Sequence, residues 1–350
     1  MKIKLTTAKK AKPDFSKLGF GKYFTDHMLV MDYENGAWKE PEIVPYGDFN
    51  LDPSTTVLHY GQGIFEGLKA YKNKEGQITM FRPTANFKRM NKSAARLCMP
   101  AIDEELVLES LKELIKLESD WIPTAEGTSL YIRPSYVGTD PALGVHPSHS
   151  YKFFIILSPV GSYYANGLTP TKILIEDKFV RASIGGTGEA KCIGNYAASL
   201  LAADMAEQKG YEQVLWLDAA ERKYIEEVGA MNMFMVIDGV VKTPALVGSI
   251  LPGITRDSVI TMLKSEGIPV EECRISVEEL AEAYKSGKLT EAFGSGTAAV
   301  ISPVGLMGYK GEDMILNNGK MGEISTLLYN KLTGIQYGKL EDKFDWVLKI

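Results

Sequence analysis

One lysine of this 350-residue chain stands in unusual company. Lys191 sits in Gly185-Gly186-Thr187-Gly188-Glu189-Ala190-Lys191-Cys192-Ile193-Gly194-Asn195-Tyr196, among small residues and just ahead of an amphipathic helical pattern. An amine crowded in this way loses water, which lowers its pKa and frees it for attack on a carbonyl. A solvated surface lysine is the other reading of the same position. Two glycine turns offer a different chemistry. Leu251-Pro252-Gly253-Ile254-Thr255-Arg256-Asp257 leads into a helix that Thr255 can cap, and Gly294-Ser295-Gly296-Thr297-Ala298 carries a hydroxyl near its end. Glycine-flanked turns and helix N-termini aim N–H groups outward and bind anions, so a phosphate-bearing ligand would suit them; each also reads as an ordinary connection.

The run Ser129 to Val137 has the period of a strand, with Leu130 and Ile132 on one face and Tyr131 and Arg133 on the other. The polar pair either lines a pocket or faces solvent. Tyr60 and Phe65 lie in the glycine-spaced run His59 to Gly67, where aromatic residues serve either core or ligand. His146-Pro147-Ser148-His149 spaces two histidines three apart, but Pro147 argues against a shared helix face and no Cys or carboxylate set completes a site, so no metal is expected. Gly294-Ser295-Gly296 lacks the second glycine of a nucleophile elbow.

These residues need elements to hold them. Gly61 to Tyr71 and Gln77 to Phe81 read as strands joined by a polar turn, followed by helices from Pro83 to about Cys98 and from Asp103 to about Ser119. On the second helix Val107, Leu111, Leu114 and Ile115 share a face. Strands Ser129 to Val137 and Tyr151 to Ser158 come next. Glycine, proline and polar residues then cluster from Gly161 to Pro170, which places the domain boundary there. The expected division is a smaller N-terminal domain over 1–160, a linker over 161–171 and a larger domain over 172–350 that carries Lys191. The second part reads as strands Lys172 to Glu176, Gln213 to Leu217, Met231 to Ile237 and Ala299 to Met307. Its helices span Asn195 to Lys209, Thr255 to Ser265, Val277 to Lys285 and Glu323 to Leu332. The fold class is α+β, or mixed α/β, in two halves. No G-x-G-x-x-G lies between a strand and a helix, and no P-loop is present, which weighs against nucleotide folds.

Bulk properties narrow the partners. The net charge is -5 and the pI about 5.6, with no basic patch of the kind that binds nucleic acid. No apolar run approaches the ~20 residues of a membrane span. The lysine-rich start lacks the apolar stretch of a secretory signal. Three widely spaced cysteines, Cys98, Cys192 and Cys273, form no disulfide framework and suit a reducing cytoplasm.

Taken in order, Phe20-Gly21-Lys22, His59-Tyr60, Lys69-Ala70-Tyr71, Phe81-Arg82-Pro83 with Asn86 and Arg89, Tyr131-Ile132-Arg133-Pro134, Lys191 to Tyr196, Glu227 to Asn232, Leu251 to Thr255 and Gly294 to Ala298 resemble the branched-chain amino acid aminotransferases, members of the fold-type IV pyridoxal-phosphate enzymes. The resemblance covers most of the chain and implies a two-domain fold of that type. It implies that Lys191 carries pyridoxal 5'-phosphate as a Schiff base and then serves as the proton-transfer base. It further implies that Glu227 pairs with the pyridine nitrogen, Tyr196 with the phenolate oxygen, and Arg89, Ile254, Thr255 and Thr297 with the phosphate. Glu226 would face the other way on a strand. Phe20, Tyr60, Phe65, Tyr131 and Tyr163 would wall the substrate pocket, Arg133 would meet the side-chain carboxylate of glutamate, and the Ala298 N–H its α-carboxylate. The implied reaction moves the amino group of L-leucine, L-isoleucine or L-valine to 2-oxoglutarate, in a homodimer. Ala230 replaces a hydroxyl residue of some relatives, and Ala299-Val300-Ile301-Ser302 lacks the cysteine pair of others. The neighbouring readings are a D-amino acid aminotransferase, an aminodeoxychorismate lyase and, outside catalysis, a cofactor-free binding protein on the same fold.

Overall fold

The computed structural model describes residues 1–161 and 169–350. The chain forms two compact units. Unit 1 comprises Met1–Ala165, Ala190–Ile193 and Gly334–Ile350; unit 2 comprises Asn166–Glu189 and Gly194–Thr333. The second domain, expected unbroken over 172–350, yields two of its pieces, Ala190–Ile193 and Gly334–Ile350, to unit 1. Backbone pairing is the cause. Phe65 N–H donates to the Lys191 carbonyl at 3.0 Å, Cys192 bridges to Ile64, and the strand Val347–Lys349 pairs with Ile78–Phe81.

Unit 1 is built on a ten-stranded sheet whose long central pair is Ser129–Gly138 and Tyr151–Val160. Two helices cover it, Pro83–Arg96 and Glu104–Leu117. Phe87, Met90 and Ala94 of the first and Val107, Leu111, Leu114 and Ile115 of the second are buried in one core with Leu130, Ile132 and Phe153 of the sheet. Asp103 caps the second helix, its carboxylate accepting from the N–H groups of Glu105 and Leu106. The expected strand from Gly61 to Tyr71 is two strands, Gly63–Phe65 and Leu68–Lys72. Pro134 stands opposite Glu66 and has no N–H to give, so the ladder lapses there; Glu66 N–H still donates to the Pro134 carbonyl at 2.8 Å.

Unit 2 holds a nine-stranded sheet. Ile225–Val228 pairs with both Gln213–Leu217 and Met231–Ile237, and this closes six of the strands into a ring. Glu227 lies opposite Asn232, and Asn232 opposite Ser295, a row of polar side chains across three strands. The helix expected from Asn195 to Lys209 is broken into Ile193–Ala197 and Leu200–Gln208. At the break the Ser199 hydroxyl and N–H both donate to the Tyr196 carbonyl, and a side chain competing for backbone acceptors interrupts the helical ladder.

Candidate active site

The expected functional residues fall into two sets, one within each unit. In unit 1, Lys191 is fixed through its backbone: its N–H donates to Ser93 Oγ at 2.9 Å, and its carbonyl accepts from Phe65. Its amine lies 4.8 Å from the centre of the Phe65 ring. The Arg133 guanidinium lies 4.7 Å from the same ring and donates to the Tyr131 hydroxyl at 3.3 Å. Phe20 meets Tyr131 edge-on at 4.9 Å. Arg133 and Tyr131 therefore share the strand face that the period predicts. Gly67 is required here, because a Cβ on it would lie 2.1 Å from the Tyr131 hydroxyl.

Beside this group lies a buried ion pair that the sequence reading did not contain. Arg89 forks onto Glu66, with Nε to Oε1 and Nη2 to Oε2 both at 2.8 Å, and Asn86 donates to Oε2 at 2.8 Å. Burial alone would raise the Glu66 pKa, but the Arg89 charge, its hydrogen bonds and the Lys191 charge outweigh it and hold the carboxyl below its usual range. The Lys191 amine moves the other way, down to about 8, chiefly through burial and then through the Arg89 charge, against the raising effect of Glu66 and Tyr131. Lys69 is also buried and also lowered to about 8 by burial. It too was missed; a lysine in an otherwise apolar strand pattern was the available signal.

The other unit 1 residues are placed less tightly. Tyr60 ends the short helix Thr56–Tyr60, is 42% exposed, and its hydroxyl donates to the Leu143 carbonyl. Tyr163 lies outside the described residues. The expectation that no carboxylate completes a set with His146 and His149 is corrected: Asp140 does, because strand pairing folds residues 139–150 back on themselves.

In unit 2, Glu227 is buried, and Arg181 Nη2 reaches its Oε2 at 2.5 Å. Asn232 Nδ2 donates to Glu227 Oε1 at 3.2 Å and to the Leu251 carbonyl at 2.9 Å. Arg181 also donates to the carbonyls of Gly188, at 3.1 Å, and Ser249, at 2.5 Å. This arginine was missed as well; its place just ahead of the glycine run was the only hint. Glu227 and Tyr196 line a cavity of about 170 Å³ together with Arg181, Asn195, Trp216 and Ala230. Glu226 points to the opposite side, where it lines a separate cavity, and burial raises its pKa although Ser249 Oγ–H donates to it.

The helix Ile254–Ser265 starts one residue before the expected position, so Gly253 rather than Thr255 occupies the cap and no side chain caps it. Gly253 is needed there, since a Cβ on it would lie 1.9 Å from Asn232 Oδ1. Ile254 and buried Thr255 form the first turn, next to the residues that fix Glu227. Thr297 and Ala298 form the turn between Leu289–Gly296 and Val300–Tyr309 and are half-buried. Ser295 Oγ and Arg181 Nε are buried without hydrogen-bond partners in the structure.

Within each unit there are features that suit a phosphorylated pyridine aldehyde. Unit 1 has an amine of lowered pKa that can hold a carbonyl. Unit 2 has a buried carboxylate that can meet a ring N–H⁺ and a glycine-started helix turn that can receive a phosphate.

Comparison with known proteins agrees. The family model described as amino-transferase class IV matches residues 63–306. The chain is 55% identical to branched-chain-amino-acid aminotransferase 2 of Bacillus subtilis (strain 168), across 100% of this chain and 97% of that one. Among solved structures it is similar to the branched-chain aminotransferase of the thermophilic archaeon Thermoproteus uzoniensis with norvaline, with a TM-score of 0.77 at 27% identity over 92% of this chain and 99% of that one. It is also similar to the branched-chain amino acid aminotransferase from Escherichia coli, with a TM-score of 0.74 at 29% identity over 92% of this chain and 98% of that one.

Proposed function

Since the chain belongs to the branched-chain-amino-acid aminotransferases of class IV, we propose that Lys191 is its cofactor-bearing lysine and catalytic base. The enzyme transfers the amino group of L-leucine, L-isoleucine or L-valine reversibly to 2-oxoglutarate, with pyridoxal 5'-phosphate as cofactor. When bound, that cofactor supplies an electron-accepting ring that acidifies the substrate Cα–H. The observation that carries the assignment is the lowered pKa of the Lys191 amine beside the Glu66–Arg89 pair. Near neutral pH such an amine is a competent base once it is free, and it takes the Cα proton and returns it.

The remaining residues take supporting roles in this reading. Glu227, paired with Arg181, holds a proton on the pyridine nitrogen. Tyr196 donates to the phenolate oxygen. Arg89, Ile254, Thr255 and Thr297 receive the phosphate, Arg89 turning from Glu66 or serving through it. Phe20, Tyr60, Phe65, Tyr131 and Tyr163 form an apolar wall for the aliphatic side chain. Arg133 meets the distal carboxylate of glutamate, and the Ala298 N–H the α-carboxylate. The Arg133–Phe65 and Arg133–Tyr131 contacts support a pocket that accepts both apolar and anionic side chains, because a guanidinium resting on ring faces is oriented without burying a second ion.

The protein is further assigned to the cytoplasm, which suits its three free thiols, and to a homodimer. Leu200 and Leu201, 67% and 56% exposed on one helix, suit a surface that a second copy covers. Sedimentation velocity gives the assembly; a monomer at micromolar concentration would count against the dimer. The function itself is tested by steady-state transamination with 2-oxoglutarate. Turnover of L-leucine, L-isoleucine and L-valine is expected. Turnover of D-alanine with none of L-leucine would overturn the substrate assignment.

A further inference from the structure

The connection between the strands Ser129–Gly138 and Tyr151–Val160 carries no residue given a role above, although its Leu143 carbonyl accepts from the Tyr60 hydroxyl. It contains the two histidines spaced three apart, and the fold brings a carboxylate to them. One ligand atom from each of Asp140, His146 and His149 lies within 4.8 Å of the others.

The three side chains are held in place. Asp140 Oδ2 accepts from the His149 N–H at 2.7 Å and contacts His149 Nδ1 at 2.8 Å, while Oδ1 accepts from the Ser150 hydroxyl at 3.1 Å. The Asp140 N–H donates to Ser148 Oγ at 3.0 Å, and Thr139 N–H to the Ser150 carbonyl at 2.9 Å, so the base of the connection is closed by its own hydrogen bonds. His146 Nδ1 lies 2.9 Å from the Pro147 carbonyl. A proton on that nitrogen leaves Nε2 with a free lone pair, the tautomer a metal-ligating histidine adopts. The two rings stand 5.1 Å apart at 36°, side by side rather than opposed.

Two imidazoles and one carboxylate select a borderline-soft ion. Magnesium and calcium take all-oxygen sites, whereas zinc accepts nitrogen and oxygen ligands at ~2.0–2.2 Å in a tetrahedron. Both imidazoles are exposed, the His149 side chain by 82%, and so can turn toward a common ion. Three protein ligands leave the fourth tetrahedral position to water.

We propose that Asp140, His146 and His149 form a binding site for one zinc ion, or a divalent transition ion of like character, on the connection 139–150. None of the three is among the residues assigned above to cofactor or substrate. The site's local consequence is to clamp a segment whose tip carries Leu143 and Val145, 66% and 84% exposed.

The test uses the untagged, full-length, cofactor-loaded protein, freed of metal with a chelator and titrated with zinc chloride against a chromophoric competitor. The expected result is one competed ion per chain. His146→Ala and His149→Ala should each weaken it by at least roughly tenfold, because even residues that merely orient a ligand cost that much. Asp140→Asn should weaken it similarly, and hydrogen exchange across residues 139–150 should slow on zinc addition only in the unsubstituted protein. Cys98→Ser controls for the exposed thiol nearby and should leave the ion bound. Both histidines are exposed, so their variants keep the fold; far-ultraviolet circular dichroism checks this. Zinc bound equally well by the His146→Ala/His149→Ala double variant, lost in Cys98→Ser, or not bound at all overturns the proposal.

Discussion

Around Lys191, in unit 1, ionised side chains of both signs and two aromatic rings surround an amine whose pKa falls to about 8. Around Glu227, in unit 2, a guanidinium at 2.5 Å and an amide at 3.2 Å fix a single buried carboxylate. The first arrangement balances opposing influences: Arg89 and burial lower the amine, while Glu66 and Tyr131 raise it. Its protonation state is therefore adjustable near neutral pH. In the second, Arg181 and Asn232 both donate to the carboxylate, an arrangement that favours its charged form. A transaminase needs both, one group that gives and takes a proton and one that does not.

The comparison can be broken most sharply at Lys191. Lys191→Ala should lower kcat with L-leucine by more than about 10⁴-fold, since a positioned base alone contributes ~10²–10⁴-fold and the cofactor loses its covalent anchor as well. Stopped-flow and steady-state assays read this, and a loss under tenfold would remove Lys191 from the chemistry. The next largest effect belongs to unit 2. Glu227→Gln keeps the shape but gives up a charged hydrogen bond worth about 1.5–3 kcal/mol, so kcat should fall roughly 10–100-fold. It should also lower stability in urea by about 2–3 kcal/mol, because Arg181 is left with a weaker buried partner.

Glu66→Gln sharpens the comparison through pH. Glu66 raises the Lys191 pKa, so without its charge the amine becomes more acidic. The acid limb of the kcat profile, set by the free base, should move to lower pH; a limb that stays or moves up contradicts the coupling. The same residue has a stability signature. Its folded pKa lies below the ordinary 4.5, so its contribution is complete above that pH and is lost as the pH falls through the folded value. The unsubstituted protein should therefore lose stability in acid faster than Glu66→Gln.

The smallest expected effect concerns stability at Lys191 itself. A lysine at about 8 folded and 10.5 unfolded binds fewer protons when folded, so its cost is full below pH 8 and fades as the pH rises to 10.5. Lys191→Met should stabilise the cofactor-free protein at pH 7, and the gain should shrink at pH 10. A gain that grows with pH would refute the lowered pKa.

The sequence made some of this arrangement visible and hid the rest for identifiable reasons. Alternation along 129–138 put Tyr131 and Arg133 on one face, and the 3.6 period put Val107, Leu111, Leu114 and Ile115 in the core; both are local patterns that the structure keeps. Strands such as His27–Glu34, with its charged Asp32 and Glu34, lack clean alternation and went unread. The Glu66–Arg89 pair spans 23 residues and joins a strand connection to a helix, a matter of tertiary packing that no single segment encodes. Arg181 likewise meets Glu227 only in the fold, while Asp140 meets His149 across the turn of a single hairpin, a local contact that the histidine spacing alone does not reveal. The placement of Ala190–Ile193 and Gly334–Ile350 in unit 1 comes from backbone pairing and went unread, since composition marks linkers but not which sheet a short segment joins.

Two lysines share a pKa of about 8, half-buried Lys191 and buried Lys69, and they make the central claim testable in one measurement. The cofactor-loaded protein is reduced with sodium borohydride, digested, and its phosphopyridoxyl-lysine peptide sequenced by mass spectrometry. The account predicts the adduct on Lys191 and on no other lysine. An adduct on Lys69, or on any lysine other than Lys191, would contradict it.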